Sequence, residues 1–391
     1  MKRGDVIGGY RVVSEPTNNG GGKCVWAFAE KDGKEYFLKR FLEPKRPGVY
    51  SGIGEASKKL LLEECSAFED RHRTIMKLLK PDASGAGNIV LAVDFFHERS
   101  TYYKITERID TSTLETPQAL APRQKAVLLR TLGLSLRLLH DIHIVHGDLK
   151  PANVLVQKKA SVQTFYTAKL IDFDDSYISG KPPERGVIAG DSLFGAPEWR
   201  RYMQGDSDVE PEYLTTKTDI FALGLMTHYY LVGALPGHSA SFGSPADAVN
   251  AGRQLRIDDR LTDEMHDLVL AMTSRIPGGR PSIAMFLAAL ADHEVCALSR
   301  KRRAHGGPSE AGGDSLSGAA GRDARPSRVR TNLGRTSAHR RADAAPHPAS
   351  AAGSASPSPE PVPDTGAAAA DSDAPPRGTS RVRINLGYGP R

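Results

Sequence analysis

The 391-residue sequence contains little cysteine and no long apolar run. Its three cysteines, Cys24, Cys65 and Cys296, are widely spaced and odd in number, which argues against a disulfide framework or a thiolate metal site. We expect them to be buried in a protein of a reducing compartment. Because no stretch of about eighteen apolar residues is present, we predict no membrane span and a cytoplasmic location.

Aromatic residues are nearly absent from residues 299–391, which are rich in Ala, Pro, Ser, Gly and Arg. Such a composition cannot bury enough apolar surface to offset chain entropy, so we predict a disordered tail. The tail carries 15 basic and 8 acidic residues, whereas residues 1–298 carry 37 and 38. The basic charge therefore belongs to the tail, and we predict one folded domain over residues 1–298.

One string in the tail occurs twice: SRVRTNLG at residues 327–334 and SRVRINLG at residues 380–387. Two linked copies could form a bivalent docking segment for a partner such as a phosphatase, or they could be a duplicated fragment without function. Both alternatives stay open. The cluster of Lys301, Arg302 and Arg303 has no interleaved aromatics, so we do not expect a nucleic-acid partner.

The folded part changes character along its length. Its first hundred residues alternate short apolar runs with Gly, Asn and Asp turns, which predicts strands, and helical periodicity from Glu55 to Leu79 predicts one long helix among them. From Arg123 onward the period is mostly helical. We therefore predict an α+β fold, with a small β-rich lobe over about residues 1–109 and a larger helical lobe over about residues 110–298.

Two motifs carry the chemistry: HGDLKPAN at residues 146–153 and IDFD at residues 171–174. They resemble the catalytic loop and the metal-binding loop of eukaryotic-type serine/threonine protein kinases, of the soluble bacterial kind. The resemblance is divergent, because HGD stands in place of HRD and DFD in place of DFG. It implies the two-lobed protein kinase fold and a transfer of phosphate from ATP.

The resemblance also assigns roles to these residues. Asp148 would orient or deprotonate the attacking hydroxyl, and Lys150, a mark of the serine/threonine class, would neutralise charge on the transferring group. Asn153 and Asp172 would be the ligands of Mg²⁺, a hard cation that prefers oxygen. The implied cofactors are ATP and Mg²⁺, and the implied partners are proteins with Ser or Thr hydroxyls.

Upstream, the string YFLKRF at residues 36–41 resembles the kinase strand that carries the ATP-contacting lysine, which makes Lys39 the candidate. The family pairs this lysine with a glutamate on the following helix. Glu69 shares a face with the helix's apolar residues and is our choice, while Glu63 and Glu64 are rivals that could be surface charges.

The remaining nucleotide contacts are also implied by the resemblance. A cluster of three glycines precedes the lysine strand, where the phosphate-covering loop belongs, although its spacing is irregular. Glycine backbones can bring N–H groups close to phosphates, and the string TERI at residues 106–109 resembles the hinge that meets adenine. The predicted residues are Gly20, Gly21, Gly22, Val25, Thr106, Glu107 and Ile109.

Three later strings separate protein kinases from small-molecule kinases. APE at residues 196–198 resembles the end of the activation segment, DIFALG at residues 219–224 the start of a central helix, and GRP at residues 279–281 the site of a partner arginine. The family joins the glutamate of the first to the arginine of the third. We therefore predict an ion pair between Glu198 and Arg280.

Several positions depart from the family. Gly147 replaces the arginine that would receive a phosphorylated activation loop, so we predict activity that does not depend on phosphorylation of Ser176, Tyr177, Ser179 or Ser192. Asp174 and Asp175 could hold a second ion or be solvated, and we favour solvation. Asp191 and Phe194 stand where the family has threonine and tyrosine, which makes peptide recognition less certain than ATP binding.

Three functions compete. The leading hypothesis is an active serine/threonine protein kinase, because Lys39, Asp148, Asn153 and Asp172 are all present. A nucleotide-binding pseudokinase scaffold is the second, since the glycine loop and Asp174 are irregular. A small-molecule kinase is the third, because the HGD string with a later IDxD also occurs in such enzymes.

Overall fold

The computed structural model describes residues 1–19, 22–48, 52–79, 88–111, 114, 116–159 and 164–299. Apart from Ser299, the predicted tail with its two repeats lies outside these described residues, and so do Gly20 and Gly21 of the predicted glycine loop. The predicted fold class is confirmed: a β-rich lobe with one long helix precedes a larger helical lobe.

The small lobe is built on a six-stranded antiparallel sheet. Its strands are Val6–Ile7 (β1), Tyr10–Val12 (β2), Cys24–Lys31 (β3), Lys34–Phe41 (β4), Ala92–Glu98 (β5) and Thr101–Glu107 (β6). They lie in the order β1-β2-β3-β4-β6-β5. A two-residue turn joins β3 to β4, and both of its residues, Asp32 and Gly33, have positive φ angles. An Asp-Gly pair is favoured in such a turn because its twist matches that of the strands.

The predicted helix is present as Glu55–Leu78 (α1), and it buries one face, at Cys65, His72 and Ile75. Spacings of seven and three residues place these side chains on one stripe of a helix. The stripe meets an aromatic cluster on the sheet: the ring of His72 is stacked on Phe95 at 4.8 Å between centroids and lies 4.2 Å from the ring of Phe68 on its own helix. Aromatic packing therefore fixes the helix against the sheet.

The large lobe is helical and is organised around one buried central helix. Its helices are Pro122–Asp141 (α2), Pro197–Met203 (α3), Lys217–Val232 (α4), Pro245–Asn250 (α5), Asp263–Met272 (α6) and Ile283–Ala289 (α7). The central one is α4, whose side chains are buried from Thr218 to Leu231. The ring of His228 on this helix contacts Ala234 O through Nδ1 at 2.7 Å and Asp258 N through Nε2 at 3.0 Å.

Four short strands of the large lobe hold the two motifs. Ile144–Val145 (β7) pairs with Tyr177–Ile178 (β10), and Val154–Lys159 (β8) pairs with Phe165–Leu170 (β9). The first motif lies between β7 and β8, and the second follows β9. Pairing of these strands therefore brings the two motifs together. Within the described part of the chain, we find no helix with the length and apolar character needed to cross a membrane.

Candidate active site

The catalytic-loop motif folds so that Asp148, Lys150 and Asn153 converge. The Nζ atom of Lys150 lies 3.0 Å from Asp148 Oδ1 and 2.8 Å from Asp148 Oδ2. Asn153 donates from Nδ2 to the backbone oxygen of Asp148 at 2.8 Å and to its carboxylate Oδ2 at 2.9 Å. A single turn of 3₁₀ helix over Pro151–Asn153 makes this return possible. The structure thus brings together three of the predicted site residues.

The Asp148 carboxylate is largely buried, with a side-chain exposure of 11%. Burial raises its pKa above the usual range, and the neighbouring Lys150 ammonium opposes this shift without cancelling it. A carboxylate with a raised pKa is a better proton acceptor than one in water. The Asp148 carboxylate is therefore suited to accept a proton from a hydroxyl.

Asp219, near the start of α4, binds the backbone at the beginning of the catalytic loop. Its carboxylate accepts from the backbone N–H of His146 at 2.8 Å and from that of Gly147 at 3.2 Å. The ring of His146, which is fully buried, contacts the backbone oxygen of Ile171 at 3.0 Å. Because Ile171 precedes Asp172, this contact links the first motif to the second.

Gly147, the most visible departure from the family pattern, has a structural reason. Its φ is +80°, a left-handed conformation that L side chains adopt only at a cost. A Cβ atom added there would lie 2.3 Å from the backbone oxygen of Asp175. The local backbone therefore disfavours any side chain at this position, including the arginine of the family pattern.

Lys39 reaches across to the second motif. Its Nζ atom lies 2.8 Å from Asp172 Oδ1 and 2.9 Å from Oδ2, and 2.5 Å from Asp174 Oδ2. Burial lowers the pKa of Lys39, but the two carboxylates outweigh burial and hold the pKa well above its ordinary value. The predicted lysine and the predicted metal ligand Asp172 are therefore in contact.

Asp174 is not solvated, so our expectation for this residue was wrong. Its side chain is 13% exposed, and Oδ1 accepts from Lys104 Nζ at 2.6 Å while Oδ2 contacts Lys39. Burial alone would raise its pKa, yet the two lysines hold the pKa well below the usual range. Asp175 is also half-buried, but burial together with the neighbouring carboxylates raises its pKa to about 6.

Glu69 pairs with Arg46 rather than with Lys39, contrary to the pairing that we expected. Its Oε1 accepts from Arg46 Nη1 at 2.5 Å and from the Tyr102 hydroxyl at 2.7 Å, and its Oε2 lies 3.6 Å from Arg73. The helix turns a different residue, His72, toward the site, because the buried stripe of α1 passes through positions 65, 72 and 75.

The predicted nucleotide contacts lie on the strands around Lys39. Val25 on β3 pairs with Arg40, and Thr106 on β6 pairs with Phe37, so both flank the lysine strand. Glu107 ends β6 and is exposed, and Ile109 follows it as a partly exposed residue. Gly22 lies just before β3 with a φ of +56° and no atom within 4 Å of an added Cβ. Because paired residues share a face and faces alternate along a strand, Thr106 lies on the same sheet face as Lys39, whereas the predicted contact Val25 lies on the opposite face with Arg40.

The activation segment makes two contacts that bear on the predictions. Lys150 Nζ lies 3.4 Å from Asp191 Oδ2, so the aspartate that replaces a threonine still faces this lysine. The Glu198–Arg280 ion pair is confirmed: both guanidinium Nη atoms donate to the carboxylate at 2.7 Å. The Arg280 side chain is fully buried, so the pair belongs to the core of the large lobe.

The residues predicted to hold Mg²⁺ have suitable chemistry. Asn153 supplies an amide oxygen and Asp172 a carboxylate, and the backbone N–H of Ile171 donates to Asn153 O at 3.0 Å, so their loops adjoin. In the part of the chain that the structure describes, no three His, Cys, Asp or Glu side chains form a metal cluster. Mg²⁺ needs only one or two protein carboxylates when phosphates and water complete its shell, so the residues fit the ion.

Three site residues escaped the sequence reasoning. Lys104 lies opposite Lys39 in the pairing of β4 with β6. Asp174 of the second motif contacts Lys104, and His72 on α1 contacts Asp174. No local pattern marks them, because Lys104 and Asp174 are 70 positions apart. The aspartate in place of the usual glycine was the one visible signal.

A two-lobed fold with a buried aspartate, a paired lysine and an adjoining oxygen-donor loop defines a protein kinase catalytic domain. The model of the family "Protein kinase domain" matches residues 55–290, more than half of the sequence. The chain therefore belongs to the protein kinase family. Lys39 and the glycine segment precede the matched region, and the sheet joins the Lys39 strand to it.

Curated relatives agree with this assignment. The chain is similar to the human "Serine/threonine-protein kinase ULK3", with 25% identity over 281 residues that cover 71% of this chain and 53% of the relative. It is also similar to the "Serine/threonine-protein kinase CLA4" of Eremothecium gossypii, with 24% identity covering 60% and 26%. For the "Serine/threonine-protein kinase pkn2" of Myxococcus xanthus the identity is 28%, covering 38% and 17%. The chain spans about half or less of the length of these relatives.

Proposed function

We propose that this protein transfers the γ-phosphoryl group of Mg·ATP to serine and threonine hydroxyls of proteins. The observation that carries the proposal is the convergence of Asp148, Lys150 and Asn153 beside a loop that contacts Lys39. Phosphoryl transfer consists mainly of positioning and charge stabilisation. A site of this kind needs few residues, and all of them are present.

The roles follow from the contacts. Asp148, with its raised pKa, orients the substrate hydroxyl and accepts its proton. Lys150, which already contacts this carboxylate, stabilises negative charge on the group in transfer. Lys39 binds nucleotide phosphates from the small lobe, and the hinge formed by Thr106, Glu107 and Ile109 meets the adenine.

Asn153 and Asp172 are the residues that would hold Mg²⁺. When bound, the ion neutralises charge on the phosphates of ATP. The chain's own contribution is to present one amide and one carboxylate from adjoining loops, fixed by the backbone contact between Ile171 and Asn153. Asp219 keeps the catalytic loop in place from the large lobe.

The test compares the wild-type chain with Asp148→Asn in the presence of Mg²⁺ and γ-labelled ATP, using a generic basic protein as the acceptor. Because a positioned general base contributes about 10²–10⁴-fold, incorporation of phosphate should fall by about that factor. Asp141→Asn is the matched control, since Asp141 is an exposed residue at the end of α2. Phosphosites mapped by mass spectrometry should be serines and threonines.

An equal rate for Asp148→Asn and wild type would overturn the proposal. Nucleotide binding without any Asp148-dependent transfer would favour the pseudokinase alternative instead. Transfer to a small molecule but not to protein would favour the small-molecule kinase.

We also propose that activity is independent of activation-segment phosphorylation. Gly147 offers no cation to a phosphate, and Ser176 and Tyr177 are buried, with the Ser176 hydroxyl donating to His146 O at 3.0 Å. The test should therefore alter only Ser179 and Ser192, which are at least partly exposed. The Ser179→Ala/Ser192→Ala variant should retain at least about half of wild-type activity, because position 147 offers no cation that would bind a phosphate on either serine. Complete loss with an intact fold would contradict the idea.

The tail and the location remain proposals. The repeated tail strings lie outside the described residues, and their repetition supports docking of a partner such as a phosphatase. Deleting both copies should abolish the interaction, and partner interactions unchanged by the deletion would contradict docking. A cytoplasmic location is supported by Cys24, Cys65 and Cys296, which are free and buried, as expected in a reducing compartment.

A further inference from the structure

Two lysines face each other across neighbouring strands of the small lobe. Lys39 on β4 and Lys104 on β6 are direct partners in the antiparallel register. Their side chains are only 12% and 9% exposed, so water screens their charges poorly. Like charges directly opposite each other in a sheet are destabilising. This arrangement therefore needs an anion between the two ammonium groups.

Asp174 provides that anion. One carboxylate oxygen lies 2.5 Å from Lys39 Nζ and the other lies 2.6 Å from Lys104 Nζ. The two oxygens of an ionised carboxylate can each accept from a separate donor, so a single side chain bridges the two strands. A glycine at this position, as in the family pattern, could not do so.

The helix α1 contributes a histidine at this place instead of a carboxylate. The Nε2 atom of His72 lies 3.4 Å from Asp174 Oδ1, and the ring is enclosed by Phe68 and Phe95. Glu69 is held by Arg46 and Tyr102. The helix thus supplies an aromatic wall, and the charged partner of Lys39 comes from the large lobe.

We propose that Asp174 positions Lys39 for the nucleotide phosphates, in the role that the kinase resemblance assigns to a glutamate on α1. The inference rests on the proposed phosphotransferase function and extends it. Asp172 contacts Lys39 as well, but Asp172 is also a proposed ligand of Mg²⁺. When Asp172 binds Mg²⁺, Asp174 is the carboxylate that remains in contact with Lys39.

The charge balance supports this assignment. Lys39, Lys104, Asp172 and Asp174 together are neutral, because two ammonium groups face two carboxylates. If the charge of Asp172 is committed to Mg²⁺, the two lysines and Asp174 leave one net positive charge, which favours an incoming phosphate. Asp174 therefore keeps the pair of lysines in place without cancelling their attraction for phosphate.

A crystal structure of the full chain with Mg²⁺ and an ATP analogue that carries an imido group between the β- and γ-phosphates tests the geometry without turnover. The expected result is that Lys39 Nζ stays within hydrogen-bond distance of Asp174 while it contacts a phosphate oxygen. A Lys39 that instead pairs with Glu69 in the complex would overturn the inference. This result is independent of whether the wild-type chain transfers phosphate.

Kinetic variants test the function of the contact. Asp174→Asn should lower kcat by about tenfold to a hundredfold, because small misplacements of a catalytic group have effects of that size. Asp174→Glu keeps the charge and should recover most of the loss, whereas Asp174→Gly, the family residue, should not. Glu69→Gln is the competing arm: a loss as large as that of Asp174→Asn would transfer the role to Glu69.

A double variant separates positioning from stability. Removing the charge of Asp174 leaves the buried Lys104 ammonium group without its carboxylate partner and opposite Lys39, which keeps Asp172, so Asp174→Asn should also lower the thermal midpoint. Adding Lys104→Met removes that repulsion and should restore the midpoint but not kcat. If restored stability brought kcat back to the level of the Lys104→Met single variant, Asp174 would be a structural residue and the inference would be wrong.

Discussion

Replacing Gly147 by the arginine of the family pattern should destabilise this protein. The substitution is attractive on sequence grounds, because it would convert HGD into HRD. The structure opposes it, since Gly147 has a φ of +80° and an added Cβ would lie 2.3 Å from Asp175 O. The left-handed conformation costs about 1–2 kcal/mol for an L residue, and forcing extra atoms into a packed site costs about 1–3 kcal/mol more.

Urea denaturation of Gly147→Ala and Gly147→Arg measures this cost. We expect the free energy of unfolding to fall by about 2–5 kcal/mol in both variants, the sum of the backbone and steric contributions. Gly252→Ala is the matched control, because Gly252 has a φ of +75° and no atom within 4 Å of an added Cβ. The control should lose only the backbone part, about 1–2 kcal/mol.

The difference between the two alanine variants isolates the contact with the Asp175 backbone. Equal losses for Gly147→Ala and Gly252→Ala would show that the loop yields without cost, and our reasoning about the missing arginine would then be refuted. An arginine variant as stable as the wild type would have the same meaning.

Two further predictions concern the large lobe. Glu198→Ala leaves the fully buried Arg280 guanidinium without its carboxylate and should lower the free energy of unfolding by about 3–5 kcal/mol. The control Asp141→Ala removes an exposed ion pair and should lower it by less than about 1 kcal/mol. Similar losses for the two variants would contradict the burial of the Glu198–Arg280 pair. Burial lowers the pKa of His228 below its ordinary value of 6.5, so the folded state resists protonation and stability falls as the pH drops through 6.5 and below. One group changes the free energy of unfolding by at most about 1.4 kcal/mol per pH unit. Between about pH 8 and about pH 5.5, this free energy should fall less for His228→Gln than for wild type. An equal fall in both proteins would argue against a neutral His228 in the folded state.

The order of elements and the central motifs could be predicted from the sequence, because each depends on a local pattern. Periodicity marked α1, and the short spacing from Asp148 to Asn153 allows one loop to bring the two side chains together. The Glu198–Arg280 pair was also predictable, although its partners are 82 positions apart, because both lie in strings that the family shares.

The cluster around Lys39 could not be derived in the same way. Which carboxylate meets this lysine depends on the rotation of α1 about its axis, and aromatic packing around His72 sets that rotation. Glu69 and His72 are three positions apart, so a helical pattern places both near one face. Only the packed structure shows that the histidine faces Asp174 while the glutamate faces Arg46.

The tie between Asp219 and the loop before Asp148 determines where adjustment can occur in this molecule. Asp219 begins a helix enclosed on every side by its own lobe, and such a helix cannot shift without opening voids in tightly packed surroundings. The carboxylate of Asp148, the proposed proton acceptor, therefore follows a loop that is anchored to this buried helix. On the other side of the site, Lys39 contacts the carboxylates of both Asp172 and Asp174, so under the proposed function an exchange of partners there needs no movement of the buried helix.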